Sequence, residues 1–129
     1  MKPDLFLAIS GKVPASQPLQ PDVWPAFGDE CEMNWFYRQF DSAEGWLGKS
    51  FLAIWKREHI RELAPIIARA FPPAFHFFAS DGGGSQFGFH GSDSGVRYLS
   101  APEIGDESDV TCLGAWSSFL RCIESVDYI

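Results

Sequence analysis

Three segments of the chain repeat apolar residues at the i, i+3, i+4, i+7 spacing of an amphipathic helix. The first follows Asp29 and Glu32, which have the spacing of a capping box, and it predicts a helix over 30–40. The second covers 60–71 and contains Pro65, which lacks a backbone donor, so we expect a kink or two short helices there. The third predicts a C-terminal helix, whose apolar positions are Trp116, Phe119, Leu120 and Ile123.

Apolar segments of a different period predict strands between these helices. After a polar turn over 41–45, the stretch 46–55 is apolar on both faces, as expected for a central strand. Residues 75–90 indicate a β-hairpin, because two aromatic segments flank an aspartate and three glycines. A third strand over 96–100 extends this hairpin into a meander. The order of elements predicts a single-domain α+β fold, a mostly antiparallel twisted sheet with helices packed mainly on one face.

Residues 1–28 differ in composition from the rest of the chain. They contain five prolines, each of which removes a backbone donor and favours extended backbone in the residue before it. We therefore expect an irregular N-terminal arm, held to the body of the protein by Trp24 and Phe27. The α+β domain is expected to cover 29–129.

The glycine run has the composition of a phosphate-binding loop, but its surroundings disfavour that interpretation. A phosphate loop needs a strand followed by the N-terminus of a helix, whereas strand-like sequence follows these glycines. Phe87 also stands where the third glycine of a dinucleotide fingerprint would fall. The turn is therefore predicted to be structural, and its residues are Asp81, Gly82, Gly83 and Gly84.

Composition predicts an aromatic core and an acidic surface. The chain has 129 residues, of which 46% are hydrophobic and 16% aromatic, so it can bury a core without metal or disulfide support. A formal net charge of −7 argues against direct nucleic-acid binding and favours a basic protein partner. Large aromatic residues in predicted strands and helices usually belong to the core, which applies to Trp46, Trp55 and Trp116. The loop over 102–109 has no base, and its acids are Glu103, Asp106, Glu107 and Asp109.

The three cysteines indicate a reducing environment. Cys31, Cys112 and Cys122 are odd in number and too far apart for a CxxC redox or zinc motif, so free thiols are expected. Cys31 lies near a predicted helix start, but no histidine is close in sequence, and an ordinary buried thiol is expected. No signal-peptide core or bilayer-spanning stretch is apparent, so we expect a cytoplasmic protein without membrane contact.

The remaining polar residues do not form a recognisable catalytic constellation. His76 and His90 each lie seven residues from Gly83, so a symmetric hairpin would place the two imidazoles opposite one another. Two ligands do not make a metal site, and Asp81 in the turn is expected to lie away from the pair. The serines near these histidines lack a strand-to-helix nucleophile elbow. We predict a protein without catalytic activity, metal or other cofactor, and a small metal-dependent hydrolase using the two histidines is an alternative.

The order of three segments carries a family resemblance. The segments are EGWLGKSFLAIWKREHIREL, then FFASDGGGSQFGFH, then VRYLSAPEIGDESDVTCLGAWSSFLRCI. Their characteristic residues are Gly45, Trp55, Asp81, Gly82, Gly83, Gly84, Phe87, Phe89, Phe119 and Leu120. This succession resembles the SUKH superfamily, which includes bacterial toxin-immunity proteins and fungal regulators of cell-wall synthesis. The chain departs from that family in its proline-rich arm, which stands in place of an amphipathic helix, and in His90, which replaces an aspartate.

The resemblance implies a binding protein, an antitoxin that neutralises a secreted toxin such as a nuclease through a tight complex. A basic toxin domain would complement the acidic charge of this chain. The fungal members imply an alternative, a regulatory or scaffold protein that has no toxin partner. Candidate partner contacts are Glu103, Asp106, Glu107 and Asp109 in the acidic loop, with Asp93 and His90 on the hairpin side.

Overall fold

The structure is a computed structural model that describes residues 9, 11–17, 20–92 and 95–128. These residues form one open sheet in which neighbouring strands are antiparallel and follow the order of the chain. The strands are β1 Gly11–Pro14, β2 Phe40–Leu47, β3 Ser50–Ile54, β4 Phe75–Ser80, β5 Ser85–Ser92, β6 Gly95–Pro102 and β7 Thr111–Gly114. The helices are α1 Glu32–Gln39, α2 Arg57–Ile67 and α3 Trp116–Ser125. The α+β class predicted from the sequence is confirmed.

Two helices, α1 and α3, cover one face of the sheet and form the main core with it. Phe36 of α1 and Phe119 of α3 are both buried there. The Phe119 ring stacks on Tyr98 of β6 with ring centroids 4.8 Å apart, and it also contacts Phe78 and Phe87. Aromatic pairs of this kind contribute about 0.5–1.5 kcal/mol beyond the burial of their surface. The aromatic residues therefore join α3 to three adjacent strands.

A smaller apolar cluster lies on the opposite face of the sheet. Its buried members are Phe71, Phe77, Leu99 and Ala101. α2 lies beside this cluster, with Ile67 packed against it and Ile60 packed against the main core. None of the residues of α2 is fully buried. Among the described residues, no helix combines the length and apolar composition needed to cross a membrane.

Pro65 does not divide the second helix, contrary to one of the two predicted outcomes. It lies within α2, two residues before the helix ends, and its side chain is exposed. Pro65 cannot donate to the Arg61 carbonyl, but only Ile66 and Ile67 of the helix follow it, so the disruption is confined to the last turn. α2 therefore continues through Pro65 as one helix.

The chain around β2 and β3 folds differently from the prediction. The polar turn predicted over 41–45 is part of β2, and the strand predicted over 46–55 is divided by a tight turn at Gly48. Gly48 has a φ of +59°, and a Cβ there would lie 2.6 Å from the carbonyl oxygen of Glu124. Trp46 is 66% exposed on the hairpin, so the prediction that it belongs to the core is wrong.

The predicted first helix begins later than the sequence indicated. A short 3₁₀ turn, Gly28–Glu30, precedes it, and α1 begins at Glu32. Asp29 does not form the expected capping box, because its carboxylate accepts a hydrogen bond from the Arg38 guanidinium at 2.7 Å. β7 was not predicted at all, since four residues are too few to establish an alternating pattern.

Part of the proline-rich arm belongs to the sheet, where an irregular segment was expected. β1 pairs with β2 at the edge of the sheet. Proline lacks the N–H that a central strand needs for its ladder, so Pro14 is tolerated in this edge strand. Trp24 is buried in the main core, which confirms its expected role in holding the arm. The buried Asn34 amide donates to the carbonyls of Trp24 and Gly28, each at 2.9 Å, and accepts from the Trp24 amide at 3.1 Å. α1 therefore fixes the arm by side-chain hydrogen bonds.

The predicted hairpin of β4 and β5 is confirmed, and its register contains a β-bulge. Phe77 pairs with Gly88 and Ala79 pairs with Phe87, which leaves Phe78 without a partner in the register. Phe78 and Ala79 consequently both face the main core, whereas Phe77 faces the smaller cluster. The bulge shifts every pair beyond it by one residue, which decides where the two hairpin histidines point.

Candidate functional site

An apolar groove of about 520 Å³ lies between α2 and the loop that joins β6 to β7. α2 provides one wall through Leu63, Ile66 and Ile67, and the loop provides the other through Glu103 and Ile104. The volume falls within the range of roughly 300–1,000 Å³ that is typical of ligand pockets. Its walls come from α2 and the loop between β6 and β7, and neither the main core nor the smaller cluster buries these two elements fully. The groove is therefore the candidate functional site.

The ends and the floor of the groove carry its few polar groups. Trp55 and His59 stand at one end, with ring centroids 5.1 Å apart in an edge-to-face arrangement. Ser80 and Gln86 belong to the floor, and the Gln86 side chain donates to the carbonyl of Pro102 at 3.2 Å. That bond ties the floor to the start of the acidic loop.

Two isoleucines on the rim of the groove are unusually exposed. Ile66 on α2 is 59% exposed, and Ile104 on the loop is 97% exposed. Large aliphatic side chains in water are costly when they are clustered, and such clusters mark interaction surfaces more often than isolated apolar residues do. The two isoleucines face the same groove from opposite walls.

The acidic loop is held in shape by its own hydrogen bonds. Asp106 Oδ1 accepts from the backbone amide and the hydroxyl of Ser108, and Asp109 Oδ2 accepts from the Asp106 amide at 2.9 Å. The hydrogen bonds from the Ser108 hydroxyl and amide lower the pKa of the Asp106 carboxyl. The Glu107 amide donates to the carbonyl of Ala70 at 3.2 Å, which fastens the loop to the chain that follows α2.

The structure brings together four of the six predicted partner contacts. Glu103, Asp106, Glu107 and Asp109 are all exposed on this one loop. His90 is half-buried, and its ring stacks on Phe75 with centroids 5.6 Å apart.

His90 lies away from the acidic loop because of the strand register. Ser85 pairs with Pro102, and His90 pairs with Arg97. Five residues of strand, about 17 Å, therefore separate His90 from the start of the loop. His90 does not belong to the acidic surface, and Asp93 lies outside the described residues.

The two hairpin histidines do not face each other, so the expected opposition is wrong. The bulge pairs His76 with Phe89 and His90 with Phe75, and adjacent pairs point to opposite faces of a sheet. His76 contacts Trp24 on the core side, and its burial lowers its pKa. The two imidazoles therefore cannot share a metal ion. No three His, Cys, Asp or Glu side chains are grouped as a metal site would require within the described part of the chain.

The Cys31 thiol is unsuited to nucleophilic chemistry. It precedes α1 but is fully buried, and this burial raises its pKa to about 11 against the lowering effect of backbone hydrogen bonds. Cys112, by contrast, is exposed, and all three cysteines are free. Burial thus outweighs the helix-terminus effect that would activate the thiol.

We expect a thiol-specific disulfide reagent at pH 8 to modify Cys112 rapidly in the folded protein and Cys31 only after unfolding. A pKa of about 11 leaves about one Cys31 thiolate per thousand molecules at that pH, and burial also blocks access. Peptide mass spectrometry after timed quenching measures each site. Modification of both cysteines at equal rates in the folded protein would contradict the assignment.

The residues that carried the family resemblance are mostly structural here. Asp81 Oδ1 accepts from the amides of Gly83 and Ser85 at 2.8 and 3.1 Å, and Oδ2 accepts from the Tyr128 hydroxyl at 3.0 Å. Gly82 and Gly84 have φ values of +75° and +103°, which glycine adopts readily. The phenylalanines of the set lie in the main core, and they are Phe87, Phe89 and Phe119. Trp55 is the signature residue that lines the groove.

Sequence reasoning missed the apolar part of the site. Ile66 falls off the apolar stripe that predicted α2, and Ile104 stands alone among acidic and small residues. The one available signal was Ile104, an isolated aliphatic residue in an otherwise polar loop, because such a side chain does not stabilise a solvated loop. The groove itself depends on the approach of α2 to the loop, which no local pattern reveals.

The fold and the site together define a single-domain α+β protein with an open antiparallel sheet and an apolar surface groove bordered by acids. Comparison of the chain with protein-family models, with curated proteins and with solved structures gave no match in any of the three. The groove and its acidic border are therefore the features from which we infer the function.

Proposed function

We propose that this chain is a cytoplasmic, non-catalytic immunity protein of the SUKH type that neutralises a basic toxin, such as a nuclease, by direct binding. The observation that carries the proposal is the exposed apolar groove beside a loop of four acids. Protein interfaces combine a desolvated apolar centre with a polar rim, and this surface has both parts. The resemblance of the sequence to the SUKH superfamily supports the same conclusion.

Charge favours a basic partner in particular. The chain has a formal net charge of −7, and toxins that bind phosphates carry clustered Lys and Arg. Opposite potentials raise the association rate and suppress wrong partners. Because the loop is already held by internal hydrogen bonds, its acids are presented without a large loss of conformational entropy on binding.

Co-expression with any toxin encoded next to this gene tests the proposal directly. We expect growth to be rescued and a stable complex to be purified from the same cells. If neither rescue nor a complex is obtained, the immunity function is wrong. Recovery of a stable housekeeping partner from the native cell, with no toxin bound, would instead favour a regulatory or scaffold protein.

We expect the double variant Glu103→Lys, Glu107→Lys to bind the toxin about tenfold more slowly at low salt, with thermal stability unchanged. Both side chains are exposed, and neither supplies the hydrogen bonds that hold the loop. Asp106 is unsuitable for this test, because its carboxylate caps the turn. Stopped-flow association at two salt concentrations measures the effect.

The matched control is Glu44→Lys with Glu124→Lys, which changes the net charge equally at exposed positions on β2 and α3. Its association rate should stay closer to that of the wild-type protein. Equal slowing by both double variants would show that total charge, not the acidic loop, determines association.

A further inference from the structure

We propose that the groove takes a segment of a protein partner in which an aliphatic or aromatic anchor is flanked by Lys or Arg. The partner's identity as a toxin rests on the proposed function, whereas the chemistry of the segment rests on the groove alone.

The incomplete burial of α2 argues for an apolar anchor. A helix in a small domain normally buries one stripe, but α2 buries no residue fully, and Leu63 and Ile67 line the groove. Ile66 and Ile104 extend this apolar surface to the rim at 59% and 97% exposure. Anchors at interfaces are large apolar side chains that fill such a concavity and are then shielded from water.

Charge determines what flanks the anchor. Among the described residues that line the groove, Glu103 is negatively charged, and none is a lysine or arginine. The adjoining loop adds Asp106, Glu107 and Asp109. On the other side, Arg61 of α2 forms an exposed ion pair with Glu58 at 3.8 Å. The four acids outnumber Arg61 and the exposed Arg69 beside Ala70, so a basic flank would be attracted here, whereas an acidic segment would be repelled.

The two walls of the groove are connected to each other, so the groove exists before the partner arrives. The bond from the Glu107 amide to the Ala70 carbonyl joins the loop to the end of the α2 segment, at 3.2 Å. The bond from Gln86 to Pro102 joins the loop to the floor. A preformed site binds with less loss of conformational entropy than one that must be ordered.

A competing apolar surface exists on the β2–β3 hairpin. Trp46 is 66% exposed and contacts Phe51, with ring centroids 5.7 Å apart. Phe51 also lies beside Gly82 of the glycine turn. Neither aromatic residue lines the groove, so Trp46 provides a control for apolar binding outside it.

The test uses a dye-labelled peptide, Arg-Lys-Trp-Leu-Arg-Lys, with two matched peptides. One control replaces each base by glutamate, and the other replaces the Trp-Leu pair by two serines. By fluorescence anisotropy, the first peptide should bind at least about tenfold more tightly than either control. Hydrogen exchange should slow in α2 and in 103–109 when it binds.

Variants locate the binding surface. Ile66→Ser combined with Ile104→Ser should weaken binding of the first peptide about tenfold. Its thermal stability should remain that of the wild-type protein, because both side chains are exposed. Trp46→Ser should leave binding unchanged.

Three results would overturn the proposal: no binding of the basic apolar peptide, equal binding of the glutamate peptide, or loss of binding in Trp46→Ser while the isoleucine variant still binds.

Failure of the proposed function is a separate result. A toxin complex that forms but ignores the isoleucine substitutions refutes the groove as its site. Peptide binding in the groove without toxin rescue refutes the immunity function instead.

Discussion

Replacement of Gly88 by alanine is expected to lower the free energy of unfolding by about 3 kcal/mol, the upper end of the roughly 1–3 kcal/mol that overpacking typically costs, because the neighbours are fixed. A Cβ at this position would lie 2.3 Å from the His76 carbonyl oxygen and 2.9 Å from the Phe77 Cα. Both are backbone atoms, so no side-chain rotation relieves the contact. Gly88 also pairs with Leu99 of β6, which prevents β5 from moving away. Urea denaturation followed by tryptophan fluorescence measures the loss.

Gly83→Ala is the matched control for Gly88. Its φ is not positive, and the nearest atom to a new Cβ is Asp81 Oδ1 at 3.6 Å, an ordinary contact. The expected change is within about 0.5 kcal/mol, as for other exposed positions. If the two glycine variants lose equal stability, the close approach of β4 and β5 is not what makes Gly88 necessary.

The second large effect is expected at Asn34, where alanine should also lower the free energy of unfolding by about 3 kcal/mol. The substitution leaves the Trp24 amide, the Trp24 carbonyl and the Gly28 carbonyl without their side-chain partner. The Trp24 carbonyl keeps the Phe27 amide at 3.1 Å and the Gly28 carbonyl keeps the Cys31 amide at 3.5 Å, so the loss is three hydrogen bonds and one unpaired buried donor, the Trp24 amide. Thermal denaturation measures stability, and limited proteolysis should show the arm cleaved before the rest of the domain.

Gln39→Ala serves as the control on the same helix. The Gln39 amide is exposed and makes one long hydrogen bond, 3.5 Å to the Trp35 carbonyl. Its loss should leave the arm protected and stability nearly unchanged. An arm that is cleaved equally fast in the Asn34 variant and in the Gln39 variant would refute the anchoring role of Asn34.

The sequence predicted the elements whose pattern is long or whose turn is distinctive. α3 and the hairpin of β4 and β5 were located correctly, because a full helical stripe and an Asp-Gly-Gly-Gly turn leave few alternatives. The turn at Gly48 was missed, since the apolar run around it conceals one glycine that ends β2. The edge strands β1 and β7 are four residues each, too short for an alternating pattern to be recognised.

The candidate site was predictable only in its charge. Local composition identified the acids of the loop, from Glu103 to Asp109, and the structure places them side by side. His90 was grouped with them incorrectly, because the strand register that separates them is set by pairing and not by local sequence. The groove arises where the Ala70 carbonyl meets the Glu107 amide, a contact between segments remote in the chain.

The rim of the groove is separate from both cores, and this determines which positions can change as related chains diverge. Ile66, Ile104 and Glu103 are exposed, whereas the rings that stabilise the sheet lie on its other face or beneath α2. Substitutions at the rim are therefore expected to alter the proposed partner recognition without lowering the stability of the fold. Under the proposed function, related chains that bind different partners should differ most along α2 and the acidic loop, while the aromatic interior stays nearly constant.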